Sequence, residues 1–204
     1  ALEGSTGTLI FAKLGGVDVI VKEISLPATE PHKVNLIKCR EIYQMAKLGD
    51  QKNIIRFIGW IQKPDCIKII IERAYGGDLR KFYDTTDKIN LKQKVKMMLD
   101  VATGIEVIHK FGVIHRDIKA GNVALDKEVQ GDSLDFTAKI LDFGVAREAD
   151  MSGGATTHVS GTIKYNAPEQ GGGQAFTTAV DIWAFAFMAY ELLSGKEAYS
   201  DKKY

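Results

Sequence analysis

The order of apolar patterns along the 204 residues predicts an α+β fold in two lobes, a β-rich first lobe with one helix and a mainly helical second lobe. Three observations carry this expectation. Alternating apolar runs crowd the first third of the chain and are interrupted once by a stretch at helical spacing. After Gly76-Gly77 the spacing becomes helical. A chain of this length with 45% hydrophobic residues can bury one core or two lobes.

Thr8-Leu9-Ile10-Phe11 and Val17 to Ile24 flank Gly15-Gly16, which is a hairpin signal. A polar link punctuated by proline, Ser25 to Pro31, leads into an apolar stripe of Val34, Ile37, Met45 and Leu48, with Gly49 as the C-cap. Strands are expected over Ile54 to Ile61 and Ile67 to Ile71, and the β-rich lobe ends near Arg73. Leu91 to Phe111 carries Val95, Met98, Leu99, Ala102, Ile105 and Ile108 at helical spacing. Val113-Ile114 and Val123-Ala124-Leu125 read as short strands on either side of a loop. Ile182 to Leu193 reads as a buried helix, and Gly171-Gly172-Gly173 as a short link. The lobe boundary is placed near Tyr75, giving residues 1–74 and 75–204.

A net charge of +1 offers no electrostatic reason to expect nucleic acid or an anionic membrane as the main partner. The two cysteines, Cys39 and Cys66, form no CxxC pattern and support neither a disulfide framework nor a zinc site. No apolar run approaches the roughly 20 residues needed to span a bilayer. The start, Ala1-Leu2-Glu3-Gly4, lacks a signal-peptide pattern and reads as the middle of a strand, so a fragment of a longer protein is expected.

The loop His115, Arg116, Asp117, Ile118, Lys119, Ala120, Gly121, Asn122 is held between two strands, so it can fix a carboxylate, a cation and an amide oxygen with little entropic loss. Lys22 closes the run Val19-Ile20-Val21-Lys22, and alternation puts it on the face of Ile20. Glu41 falls on the apolar stripe of the helix that follows, seven residues after Val34 and four before Met45. A carboxylate on a core-facing stripe is costly unless paired, and Lys22 is the candidate partner. Gly4-Ser5-Thr6-Gly7 precedes the hairpin, where glycines let backbone N–H groups approach phosphates.

Downstream come Asp142-Phe143-Gly144 and then Ala167-Pro168-Glu169. With the loop, these segments resemble the catalytic loop, metal-binding loop and activation-segment end of the eukaryotic protein kinases. Lys119 two residues after Asp117, and Gly161-Thr162 before Tyr165-Asn166-Ala167-Pro168-Glu169, resemble the serine/threonine type. Asp181-Ile182-Trp183-Ala184-Phe185 and the extended Asp126 to Lys139 stretch are most similar to the tyrosine-kinase-like group.

The resemblance implies a cytoplasmic signalling enzyme using ATP and Mg²⁺ on Ser/Thr hydroxyls of proteins. By it, Asp117 orients the substrate hydroxyl, Lys119 stabilises the transferring phosphoryl group, and Lys22, paired with Glu41, contacts the α/β-phosphates. Asn122 and Asp142 would hold Mg²⁺ through hard oxygen ligands. Gly4, Gly7, Leu9, Ile20, Ile71, Glu72, Ala74, Asp78 and Ala124 would surround ATP, with Ile71 as gatekeeper, hinge contacts from Glu72 and Ala74, and Asp78 near the ribose. His115 and Phe143 would stack with Met45 between the lobes. Thr156, Thr157 and Ser160 are the candidates for regulatory phosphorylation, with Arg116 as the phosphate's partner. Thr162 is expected to contact Asp117 and Lys119.

The chain departs from the family in places. Leu2 stands where the first glycine of the phosphate loop is usual. Ile20 replaces the usual Ala above the adenine ring, and Ala124 replaces a larger residue below it, which together suggest an exchange of bulk across the slot. Gly121 stands where kinases selective for basic substrates often carry an acid. The resemblance also implies further helices after Tyr204, including the arginine partner of Glu169, so the second lobe reads as partial. The alternative function is a pseudokinase or scaffold that binds nucleotide without turnover. A small-molecule phosphotransferase, suggested by Ala120-Gly121-Asn122, is opposed by the two downstream motifs.

Overall fold

The computed structural model describes residues 2–4, 7–26, 31–82, 89–148, 162–171 and 177–198, with 2–4 and 31–39 described as backbone alone. The first lobe is a five-stranded antiparallel sheet in the order β1-β2-β3-β5-β4. Its strands are β1 (Leu2–Gly4), β2 (Gly7–Leu14), β3 (Val17–Ser25), β4 (Phe57–Gln62) and β5 (Cys66–Glu72). Gly15 and Gly16 both take positive φ, 57° and 84°, which suits the tight turn between β2 and β3. Ile20, Lys22 and Ile24 pair across from Ile71, Ile69 and Ile67, so all six share one face of the sheet.

Helix α1 (Pro31–Leu48) follows, with Glu41, Met45 and Leu48 buried, and the Gly49 N–H closes it on the Met45 carbonyl at 3.2 Å. Val34 and Ile37 lie outside the described side chains. The strand expected from Ile54 starts instead at Phe57. Residues 54–55 leave the sheet because their backbone bonds across to the second lobe: Ile54 bridges Ile140, and the Ile55 N–H donates to the Ile140 carbonyl at 2.9 Å.

The second lobe begins as Tyr75 and Gly76 donate to the carbonyls of Asp126 and Leu125. Strand β6 (Gly77–Asp78) leads into a 3-10 helix, Leu79–Phe82, and then α2 (Leu91–Lys110). Asn90 and Gln93 close a reciprocal capping box at the start of α2. Strands β7 (Val113–Ile114), β8 (Val123–Leu125), β9 (Ala138–Ile140) and β10 (Arg147–Glu148) form two small sheets, β10-β7 and β6-β8-β9. Helix α3 (Ala179–Ser194) completes the described elements.

The buried face of α2 keeps Ile105 and Ile108 of the expected stripe and departs from it earlier in the helix. Met97, Val101, Gly104, Ile105 and Ile108 face inward, whereas Val95, Leu99 and Ala102 are exposed. Two apolar stripes run along this helix, and the one containing Gly104 wins because it admits the closest approach. A Cβ there would lie 2.8 Å from both the Asn53 carbonyl oxygen and Ile140 Cδ1. Helix α3 is likewise buried on one face only, through Val180, Asp181, Ala184, Met188, Glu191 and Leu192, while Ile182 and Leu193 are exposed. One continuous core joins the lobes, from Ile24, Met45 and Ile69 through Phe143 to Val101, Ile140 and Met188. No described helix is long and apolar enough to cross a membrane.

Candidate active site

Strand β3 and helix α1 bring together the pair that the sequence separates by 19 residues. Lys22 Nζ donates to Glu41 Oε1 at 2.7 Å and to Asp142 Oδ1 at 2.9 Å. Glu41 is buried to 2% exposure, and a carboxylate taken out of water is costly without such a partner. Burial alone would push the Lys22 ammonium down, but Glu41 and Asp142 outweigh it and hold it above its ordinary range. Burial likewise opposes ionisation of Asp142, and the Lys22 ammonium with the Gly144 N–H more than compensates, holding its carboxyl low. Asp142 takes a positive φ of 57°, which turns its carboxylate back toward Lys22 and the Gly144 N–H.

The loop between β7 and β8 presents Asp117, whose carboxylate accepts from four groups. Thr162 N and Oγ1 donate to Oδ1, both at 3.0 Å, while Lys119 Nζ and Asn122 Nδ2 donate to Oδ2 at 2.7 and 2.6 Å. Lys119 Nζ also reaches Thr162 Oγ1 at 2.6 Å. Thr162 therefore makes both contacts expected of it, and the four bonds fix the direction of the Asp117 carboxylate. Asn122 Nδ2 also donates to the Asp117 carbonyl at 2.8 Å, which commits the amide nitrogen and leaves the amide oxygen as its face for other partners.

Helix α3 holds this loop from below. Asp181 is fully buried and accepts from the backbone N–H groups of His115 and Arg116 at 2.9 and 2.8 Å, and its Oδ2 lies 2.8 Å from His109 Nε2. These bonds hold Arg116 at a φ of 69°, which is costly for a side chain of its size. His115 accepts the Asp117 N–H at Nδ1 (3.3 Å) and sits 2.9 Å from the Leu141 carbonyl through Nε2, a pattern that assigns the proton to Nε2. Its ring packs edge-on against Phe143 at 4.9 Å and 67°. Phe143 and Met45 share the core that links the lobes, so both aromatic residues serve packing.

Between these groups lies a cleft of about 700 Å³. Leu9, Ile20, Ile71, Glu72, Ala74, Asp78 and Ala124 all line it, together with Gly7, Lys22, Glu41, Lys119, Asn122 and Asp142. Gly4 pairs with Gly7 where β1 and β2 meet. Ile20 and Ala124 open onto the same space. The amide oxygen of Asn122 and the carboxylate of Asp142 bring hard donors to one cleft beside two ammonium groups, a set that fits Mg²⁺ carried with phosphates. Among the described residues, no group of three or more His, Cys, Asp and Glu side chains could hold a metal without such a ligand. Thr156, Thr157 and Ser160 lie outside the described residues.

Three residues that shape the site have no role in the sequence-based expectation. Asp181 is one: its partners include backbone N–H groups, which leave no trace in a sequence, and it entered the sequence reading only within the Asp181–Phe185 resemblance. Lys139 is another; it binds Glu72 Oε1 at 2.7 Å, and the same oxygen accepts the Arg56 N–H at 2.8 Å, so Glu72 is tied to β9. Arg80 is the third, on the rim of the cleft beside Gly121.

Residues 3–204 match the family described as protein kinase domain. The chain is similar to LysM domain receptor-like kinase 10 of Oryza sativa subsp. japonica, 32% identical over 204 residues, covering 96% of this chain and 31% of that protein. It is similar to a probable serine/threonine-protein kinase of Dictyostelium discoideum, 29% identical over 194 residues (94% and 20%). It is also similar to chitin elicitor receptor kinase 1 of Arabidopsis thaliana, 29% identical over 201 residues (96% and 30%). The chain thus spans less than a third of the length of these relatives. With the motifs, the two-lobed α+β fold and a family match over nearly its whole length, the chain belongs to the protein kinase family.

Proposed function

We propose that the chain transfers the γ-phosphoryl group of ATP to Ser or Thr hydroxyls of protein substrates, as a cytoplasmic step in signalling. The observation that carries this reading is the Lys22–Glu41–Asp142 chain in a cleft that is also lined by Lys119 and Asn122, the two side chains that fasten the Asp117 carboxylate.

Lys22, held by Glu41, contacts the α/β-phosphates. Glu72 and Ala74 offer hinge backbone to the adenine edge, Asp78 faces the ribose, and Ile20 and Ala124 close the slot from above and below. Asn122 and Asp142 would hold Mg²⁺, which supplies charge neutralisation between the phosphates. Asp117 accepts the substrate hydroxyl and aims its oxygen along the line of attack. Lys119 is already on Asp117 and Thr162, so its ammonium meets the phosphoryl group as negative charge passes between donor and acceptor oxygens. The names of relatives that carry serine/threonine, and Lys119 itself, support that acceptor class over Tyr.

Phosphorylation of Thr156, Thr157 or Ser160 forms part of the proposal. Burial and then the nearby Arg147 guanidinium hold Arg116 below its ordinary range, so an added phosphate would relieve two like charges. Full activity in protein that carries no phosphate on this segment would defeat this regulatory part.

The deciding experiment measures Mg-ATP turnover on a generic protein substrate for the wild type and Asp117→Asn, with the product hydrolysed to identify the phosphorylated residue type. A fall of about 10²- to 10⁴-fold with phosphoserine or phosphothreonine as product is expected. Equal rates remove the kinase reading in favour of a nucleotide-binding scaffold.

A further inference from the structure

The face of the first-lobe sheet that carries Lys22 runs outward along β2 and β3. Lys22 pairs with Leu9, Ile20 with Phe11 and Asp18 with Lys13, so the three pairs share that face in order from buried Lys22 to exposed Lys13. Leu9, Phe11, Ile20 and Lys22 line the cleft. Phe11 stands farthest out of these four and stays 53% exposed. An exposed ring on a strand has more than one staggered position open to it, so whatever rests on it decides where it stands.

Arg73, from the link between the lobes, rests on it. The guanidinium carbon lies 5.0 Å from the centre of the Phe11 ring and 4.9 Å from that of Tyr75, within the range of attraction between a cation and an aromatic face. Asp18 fastens the group. Its Oδ2 accepts from Arg73 Nη1 at 3.2 Å and from the Tyr75 hydroxyl at 3.3 Å, while Oδ1 accepts from Lys13 Nζ at 2.7 Å. The Tyr75 N–H in turn donates to the Asp126 carbonyl at 3.1 Å, in the second lobe. The outer end of the β2–β3 hairpin is thereby tied to the start of the second lobe by side chains 55 and 57 residues apart. Arg73 and Tyr75 do not line the cleft, whereas Ala74 between them does. Their reach into it runs through Phe11.

In the function proposed above, Ile20 covers the adenine ring, with Glu72 and Ala74 at its edge. Phe11 is the cross-strand neighbour of Ile20 on the same face, toward the open end of that slot. We propose that Arg73 is a positioning residue for nucleotide binding: held by Asp18 and Tyr75, it keeps the Phe11 ring as the outer wall of the cleft. Bound nucleotide then leaves slowly, because that wall has to part first. The proposal rests on the reading of the cleft as an ATP site and adds to it a means of retaining the nucleotide.

The test uses the full-length protein and two readouts. One is steady-state kinetics with Mg-ATP and a generic protein substrate; the other is the rate at which excess ATP displaces a fluorescent, ribose-labelled ADP. Arg73→Ala is expected to speed displacement about fivefold and to raise the ATP KM by a similar factor, without lowering kcat or changing the KM for the protein substrate. Phe11→Ala should give the same changes, and the double variant should add nothing to either. Unaltered displacement in Arg73→Ala overturns the proposal and leaves the kinase reading intact. So does a change that Phe11→Ala does not share, or one that adds in the double variant, since Arg73 would then meet the nucleotide by itself. A fall in kcat with no change in displacement also overturns it, as the mark of a merely structural role. A wild type that neither binds the labelled ADP nor transfers phosphate overturns the kinase reading, and the proposal with it.

Discussion

Lys22 illustrates how a single side chain ties stability, protonation and chemistry together. Its raised ammonium contributes fully below about pH 10.4 and loses that contribution only as pH rises above it. The lowered Asp142 carboxyl contributes fully above about pH 3.9, and its share is lost as pH falls through the lowered value. The pair therefore leaves stability flat across neutral pH. In Lys22→Met, Asp142 loses its main counter-charge and its carboxyl rises. The acid limb of a melting-temperature profile should move to higher pH, and turnover should fall by about 100-fold or more. An acid limb that stays in place would show that Asp142 is held by other groups. Glu41 was legible from sequence, since a carboxylate on an apolar stripe calls for a partner. Asp181 was not, because its partners are main-chain N–H groups 65 and 66 residues earlier.

At the scale of elements, α2 shows where apolar periodicity misleads. The sequence places the helix to within one residue but carries two stripes, and only packing chooses between them. Met97→Ala, on the buried stripe, should cost about 2–5 kcal/mol in denaturant unfolding, whereas Leu99→Ser should change stability by about 0.5 kcal/mol or less. Comparable losses from both would contradict the assignment of faces. Gly104→Ala should destabilise despite the better helix propensity of alanine, since its methyl group meets the Asn53 carbonyl. Residues 54–55 teach a related lesson. Their apolar run reads as strand, yet their hydrogen bonds run to β9 in the other lobe.

Across the whole molecule, the lobes are joined by more than the 73–76 link. The Asn53 side chain donates to the Ala138 carbonyl at 3.1 Å, the Ile140 N–H donates to the Asn53 carbonyl at 2.9 Å, and Lys139 binds Glu72. With a core continuous through Phe143, unfolding should be a single transition when followed by fluorescence and by far-ultraviolet circular dichroism. Asn53→Ala removes a buried partner and should cost about 1–3 kcal/mol, with the two signals separating as the lobes uncouple. Coincident curves in that variant would place the coupling in the core alone. Mg-ATP at about 100 times its dissociation constant should stabilise the protein by about 2.7 kcal/mol, since the cleft takes residues from both lobes.

The hold of Asp181 on the catalytic loop also sets a timetable for synthesis. Every strand of the first lobe is complete by Glu72, but His115 and Arg116 gain their anchor only when a residue 65 positions further on has left the ribosome and α3 has docked. The nascent chain should thus acquire the five-stranded sheet first and a rigid His115–Asn122 loop only later. Ribosome-bound chains stalled before Asp181 would carry the loop's residues without its shape, and competence would appear abruptly as α3 emerges.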